Sequence, residues 1–341
     1  MPEAIAQPFE VALGLADRAR GRVLLACARP LRPILIDRQV RVALLGCVLV
    51  ALSLTTATLF PLWMLALAPF VWGIPHLLAD LRYLVVRQGL ARKWLLLLLI
   101  IAAVIAAGQG LGVRASLGAS VALALIWPGS LRRRLLLLAI LCATLALALW
   151  RPHAADVTFA HAHNFIAVAF WLAWRPRDKH WHFLPLALFA LATAAILLGW
   201  TESWVDNFGG LAAPSPQLSM ADFMATLAPV DSLSLAQRLV VLYAFAQGVH
   251  YAAWIHLLPQ EDRVRPVTRS FRSTYVALRA DLGALLLACA ALCALALAVW
   301  AAIDLVAARN GYFQLALFHS HMELLLFPVI ALRGLRTAAA K

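Results

Sequence analysis

Long apolar runs alternate along the chain with short basic segments, and ten of the runs are candidate membrane spans: 42–60, 62–82, 94–109, 112–128, 135–150, 157–174, 183–200, 238–258, 282–303 and 312–332. A helix needs about 20 mainly apolar residues to cross a hydrocarbon core of about 30 Å. The period-two alternation of a membrane barrel is absent. The pattern therefore predicts an all-α fold, a polytopic integral membrane helical bundle of about ten transmembrane helices.

Composition supports the class. Of the 341 residues, 64% are hydrophobic and 13% are charged, where soluble domains carry about 25% charge. The net charge of +13 is spread over the ends of many spans. A nucleic-acid surface would gather it in one patch interleaved with aromatics. Arginines and lysines collect in cytoplasmic loops, and they lie on one set of connections: Arg18 to Arg41, Arg82 to Lys93, Arg132 to Arg134, Arg175 to Lys179, Arg263 to Arg279, and Arg333, Arg336 and Lys341. The other side carries only Arg114, Arg151, Arg238 and Arg309. Both termini are expected in the cytoplasm, with the basic ends against anionic lipid headgroups.

Three regions are expected. Residues 1–41 form a cytoplasmic basic amphipathic leader lying at the interface, rather than a cleaved signal. Residues 42–333 form the transmembrane helical domain, and 334–341 a cytoplasmic tail. Within the domain, 201–237 is a non-cytoplasmic loop with four acids (Glu202, Asp206, Asp222 and Asp231) and no Lys or Arg. Its run LSMADFMATLA predicts a short amphipathic helix, part of either a solvated loop or a lid over an entrance for a lipid-like substrate. The five cysteines form no CxxC pair. Cys289 and Cys293 share a helix face as packing residues. Nucleotide, serine-triad and zinc-finger motifs are absent.

Chemistry concentrates in histidines placed where water does not reach. Ionisable side chains inside spans are expensive and usually serve a site, and imidazole is the commonest nitrogen ligand of transition metals. In VWGIPHLLADLRYL, His76 follows a stretch weakened by Gly73 and Pro75, and Asp80 stands one turn on, placed to orient the imidazole. The competing role for Asp80 is a pair with Arg82. In VTFAHAHNFIAVAFWLAW, His161 and His163 point in opposite directions on a regular helix, and His163, beside Asn164, is nearer the span centre. In YAFAQGVHYAAWIHLLP, Gln247, His250 and Tyr251 lie deep, with His256 close to the cytoplasmic end. In LFHSHMELLLFP, His319 and Glu323 share a face while His321 points elsewhere, which leaves open which histidine faces the interior. A glutamate this far from any cation in its helix needs a metal, a proton or a partner from another helix. His163, His250 and His321 fall near span centres, and His76 sits about 6 Å further toward the cytoplasm at 1.5 Å per residue. One cluster at one depth is thus predicted. The candidate catalytic and metal residues are His76, His163, His250 and His321, with His319 and His161 as further metal candidates and Asp80, Glu323, Asn164 and Tyr251 as supports.

These motifs resemble a known family. GIPHLLADLRYL resembles the GLPHGALD-type segment, and FHSHMELLLF is similar to the late PHMILID-type segment, of the bacterial β-carotene cleavage dioxygenases of the Brp/Blh type. The resemblance implies a membrane-embedded non-haem Fe(II) centre that cleaves a carotenoid with O2, in a bacterial inner membrane. His76 matches the first family histidine, His163 or His161 the second, His250 the first of the third motif, and His321 the late one. The chain departs from the family at Trp254, where the HSRRH-type motif has its second histidine, and at Leu77, where the first motif has glycine. The late aspartate is missing, with Glu323 nearby.

Independently of the family, several neutral imidazoles keep Fe(II) and leave positions open for O2. An apolar bundle suits a lipophilic small-molecule substrate arriving from the lipid. Trp72, Trp171, Trp254 and Tyr251 are candidate tunnel residues, and equally ordinary core or interface aromatics. The expectation is an Fe(II)-dependent oxygenase. Two alternatives compete with it: a haem-binding electron carrier with axial histidines on facing helices, and a metal- or proton-coupled transporter, whose His and Glu would line a path across the bilayer.

Overall fold

The computed structural model describes residues 3–27, 36–175, 177, 179–208, 212–263 and 270–335. Arg29, Arg265, Arg269, Arg336, Lys341 and most of the 334–341 tail lie outside the described residues.

Among the described residues the chain is entirely helical, without strands. A surface helix, α1 (Glu3–Cys27), precedes α2 (Arg38–Leu59), α3 (Pro61–Val86), α4 (Trp94–Leu111), α5 (Val113–Ile126), α6 (Leu131–Trp150), α7 (Pro152–Ala173) and α8 (His180–Leu197). Two short helices, α9 (Glu202–Asn207) and α10 (Met220–Leu227), lead to α11 (Leu233–Ala252), which continues through a wide turn to Glu261. Then follow α12 (Phe271–Leu282), α13 (Ala284–Ile303) and α14 (Leu305–Arg333). Seven helices are long and apolar enough to cross a membrane: α2, α3, α4, α6, α8, α13 and α14. They mark the chain as a helical membrane protein. α7 and α11 have the length, at 22 and 20 residues, so it is their polar residues, His161, His163, Asn164, Gln247 and His250 among them, that keep them out of that set.

α11 is the axis. From Val240 to Ala252 it is buried on nearly every side, with α2, α7, α8 and α10 packed around it. A helix buried all round belongs in the centre of a bundle. α14 packs on α5 and α13, and α4, α6, α8 and α13 form the rim, with only 11–22% of their span residues buried.

Most of the ion pairs among the described residues gather at one end. Arg82 and Arg87 hold Asp281 at 2.7 and 3.0 Å, Arg177 holds Glu261 at 3.1 Å, and Arg333 reaches the Gln88 carbonyl at 2.9 Å. At the same end Asp37 caps α2, its Oδ1 accepting from the Gln39 N–H at 2.9 Å, and pairs with Lys179. The neighbouring ammonium holds the Asp37 carboxyl below its ordinary value. α1 docks against α12, where Asp17 accepts from the Phe271 and Arg272 N–H groups at 2.7 and 3.1 Å and Glu10 pairs with Arg272 at 3.2 Å. At the opposite end α10, the helix expected in the 201–237 loop, is closed by a capping box between Ser219 and Asp222. The Ser219 hydroxyl and N–H both lower the Asp222 carboxyl.

Candidate metal centre

The site grows from local disruptions of helical geometry. In α3 the α-helical register is interrupted at Pro69–Gly73 and again at Leu81–Val86 by π-helical turns, leaving Ile74–Asp80 as an α-helical island between them. Pro75 explains the first interruption: it has no N–H for the Val71 carbonyl, and its ring crowds that oxygen. Gly73 is required there, because a Cβ would stand 2.5 Å from the Tyr312 ring of α14. The island carries His76 and Asp80, 1% and 0% exposed. A third π turn, Ala253–Leu257, follows His250 in α11.

Four imidazoles from four helices meet in the interior: His76 of α3, His163 of α7, His250 of α11 and His319 of α14. Their ring centroids are 4.5 Å apart for His163 and His250, 4.6 Å for His163 and His319, 4.7 Å for His76 and His319, and 5.4 Å for His76 and His250. Three of the rings are oriented through Nδ1. The Gly73 carbonyl accepts from His76 at 2.6 Å, the Ala316 carbonyl from His319, and the Glu323 carboxylate from His163 at 2.8 Å. Carbonyl oxygens only accept, so Nδ1 of His76 and His319 carries the proton and their Nε2 offers a lone pair inward. His163 Nε2 and His319 Nε2 face one another at 2.9 Å. With Glu323 ionised His163 is the same tautomer, and two lone pairs at that distance then require a proton or a cation between them.

The remaining groups point the same way. Among the described residues neither nitrogen of His250 and neither oxygen of Asp80 has a hydrogen-bond partner. His76 Nε2 lies 3.9 Å from the Asp80 carboxylate. Arg82 is turned to Asp281 instead. Within the described residues no Lys or Arg pairs with Asp80 or Glu323, so two buried carboxyl groups lie among imidazole, tyrosine and tryptophan side chains without a cation. A buried carboxylate without a cation costs several kcal/mol.

Donor atoms of His76, Asp80, His250 and His319 all lie within 4.8 Å of one another. Donors at about 2.1 Å in a tetrahedral site stand about 3.4 Å apart, so the widest pairs of the set would draw in by up to about 1.4 Å to share one ion. This group can hold a metal ion, and His163 stands beside it.

The other candidates are placed elsewhere. His161 contacts the Leu227 carbonyl of α10 at 2.8 Å and packs on Tyr243. His321 is bonded through Nδ1 to the Ser116 hydroxyl of α5 at 2.7 Å. Tyr251 packs on His76 at 4.6 Å and accepts from Gln247 at 3.2 Å. Asn164 is tied to the Ala160 carbonyl at 3.2 Å. Trp254 is buried 6.5 Å from His250, Trp171 lies under the Arg177 guanidinium, and Trp72 is partly exposed.

A cavity of about 310 Å³ adjoins the cluster, with His163, His250 and His319 in its wall and Phe159, Tyr243 and Phe313 along it. Its far side is shaped by Gly112, whose φ of +54° and contact with Asp156 exclude a side chain, and by the Asp156 carboxylate, which accepts from the Val113 N–H at 2.7 Å. Ser116 and Asp156 escaped the sequence reading; their only signals were a hydroxyl inside an apolar run and an acid at the edge of one.

Comparison of the chain with family models, with curated proteins and with solved structures finds no match.

Proposed function

We propose that the protein is a membrane-embedded, histidine-ligated non-haem iron oxygenase acting on a lipophilic substrate, with oxidative cleavage of a carotenoid as the reaction the motif resemblance implies. In this reading the ten apolar helices α2 to α8, α11, α13 and α14 cross a bacterial inner membrane, with both termini at the arginine-rich cytoplasmic end. The observation that carries the proposal is the convergence of His163 Nε2 and His319 Nε2 at 2.9 Å, with each Nδ1 already committed.

His76, His250, His319 and Asp80 would hold the ion, with His163 as a further nitrogen donor. One divalent cation neutralises Asp80 and Glu323 together. Fe(II) bound by nitrogen and carboxylate donors with open positions supplies the activation of O2. The residues do the rest. Glu323 fixes the tautomer of His163, the Gly73 and Ala316 carbonyls fix His76 and His319, and the apolar walls around Phe159 and Phe313 exclude water and hold the substrate against the centre. An axial haem pair uses two imidazoles on opposite sides of an open slot, whereas four imidazoles converge here, which weighs against haem. Their grouping in one chamber weighs against a transport path.

The test is metal analysis with a visible spectrum on the purified protein in detergent, for wild type, His76→Ala and His250→Ala. Near-stoichiometric iron without a Soret band, lost in both variants, is expected. A Soret band, or iron that survives both substitutions, would overturn the reading.

A further inference from the structure

His319 and His321 stand two residues apart on α14 and so leave the helix about 200° apart. His319 enters the cluster. His321 turns to α5, where its Nδ1 meets Ser116 Oγ at 2.7 Å; the two residues are 4% and 0% exposed. An imidazole has two polar nitrogens, and this contact satisfies one. Among the described residues Nε2 has no hydrogen-bond partner. His321 is one of the residues lining the cavity that also reaches His163, His250 and His319. Were His321 only a tie between α14 and α5, nothing would call for a cavity beside it.

Phe159 stands between the two polar walls, its ring 5.5 Å from His321 and 6.3 Å from His163. Phe313, Leu317 and Val113 continue the apolar lining. A molecule that reaches the cluster therefore runs along a largely aromatic and aliphatic surface and meets a few placed polar groups, His321 and Asp156 among them. Ligand sites are built this way, apolar overall with a few placed polar groups that set orientation.

We infer that His321 binds an oxygen-bearing group, a hydroxyl or carbonyl, on an otherwise apolar isoprenoid-type substrate, and so sets which carbon lies at the metal centre. The inference deepens the proposed function and rests on it for the reacting end. A neutral imidazole whose Nδ1 is engaged by a hydroxyl can donate or accept at Nε2, so both oxygen types fit.

Binding of radiolabelled farnesol and of farnesene, its hydrocarbon counterpart, to the full-length protein in detergent tests this. His321→Phe is expected to weaken farnesol binding about tenfold, the effect of one buried hydrogen bond, and to leave farnesene binding unchanged. His321→Gln, which keeps a donor and an acceptor, should restore most of the difference even if the Phe variant folds poorly. Metal content should stay at the wild-type level in both. Equal weakening of the two probes, no binding of either to wild type, or loss of metal in both His321 variants would overturn the inference. A metal-free wild type that still prefers farnesol through His321 would refute the oxygenase reading and leave this subsite standing.

Discussion

α13 and α14 are consecutive, separated only by Asp304, yet they are built on opposite principles. α13 has a mean hydropathy of 2.6 and 11% of its span buried; α14 has 1.7 and 56%. The more hydrophobic helix is the one outside. In water the ranking would be reversed, because burial is what apolar surface seeks. In a bilayer lipid already satisfies Leu and Ala, so α13, with Leu297 as its one buried residue, needs nothing from the protein. Polar side chains gain from the interior instead, and α14 brings Tyr312, His319, His321 and Glu323 there. The least membrane-like stretches of such a chain are where its chemistry lies.

The comparison can be broken most severely at Glu323. Replacing it with Gln removes the charge behind His163 while keeping the shape, and a 10- to 100-fold loss of metal affinity is expected, measured by titration of the metal-free protein with Fe(II) or Co(II). Unchanged affinity would mean that His163 is oriented by something else. Packing sharpens the contrast next: Gly73→Ala pushes a methyl into Tyr312 and should cost about 1–3 kcal/mol, seen as a lowered Tm, whereas Leu292→Ala on α13, where the side chain is 66% exposed, should stay within about 0.5 kcal/mol. Comparable losses at both sites would erase the distinction between interior and rim. The smallest effect lies at the end where the ion pairs gather. Because the Asp37 carboxyl is lowered by Lys179, its contribution is complete above the ordinary aspartate range near pH 4 and is lost as the pH falls through the lowered value. Asp37→Asn should flatten the acid limb of the stability profile; an unaltered limb would show that the pair contributes nothing.

Hydropathy located the helices that carry His76 and His319, and the apolar runs 157–174 and 238–258 overlap α7 and α11, which carry His163 and His250, although polar residues lower the apolarity of both. It could not say that His163 rather than His161, or His319 rather than His321, enters the cluster. That choice depends on helix rotation, which neighbouring helices set. The i,i+4 rule placed Glu323 beside His319, yet the carboxylate reaches across to His163, a contact between residues 160 positions apart. Asp80 was read as the group that orients His76; the Gly73 carbonyl does that, and Asp80 offers its oxygens to the chamber. The same blindness applies to the π turns, which leave no trace in hydropathy.

The turn at Pro69–Gly73 stores part of the chamber in chain length. A π turn absorbs about one residue more than an α turn, so the side chains beyond it face as they would in an α-helix one residue shorter. Wound as a continuous α-helix, the same residues would leave α3 just as apolar and nearly as long, but His76 and Asp80 would swing by about 100° off the interior wall. A helix that carries chemistry and one that merely spans can thus differ by one residue's worth of winding, with no side chain of the site replaced.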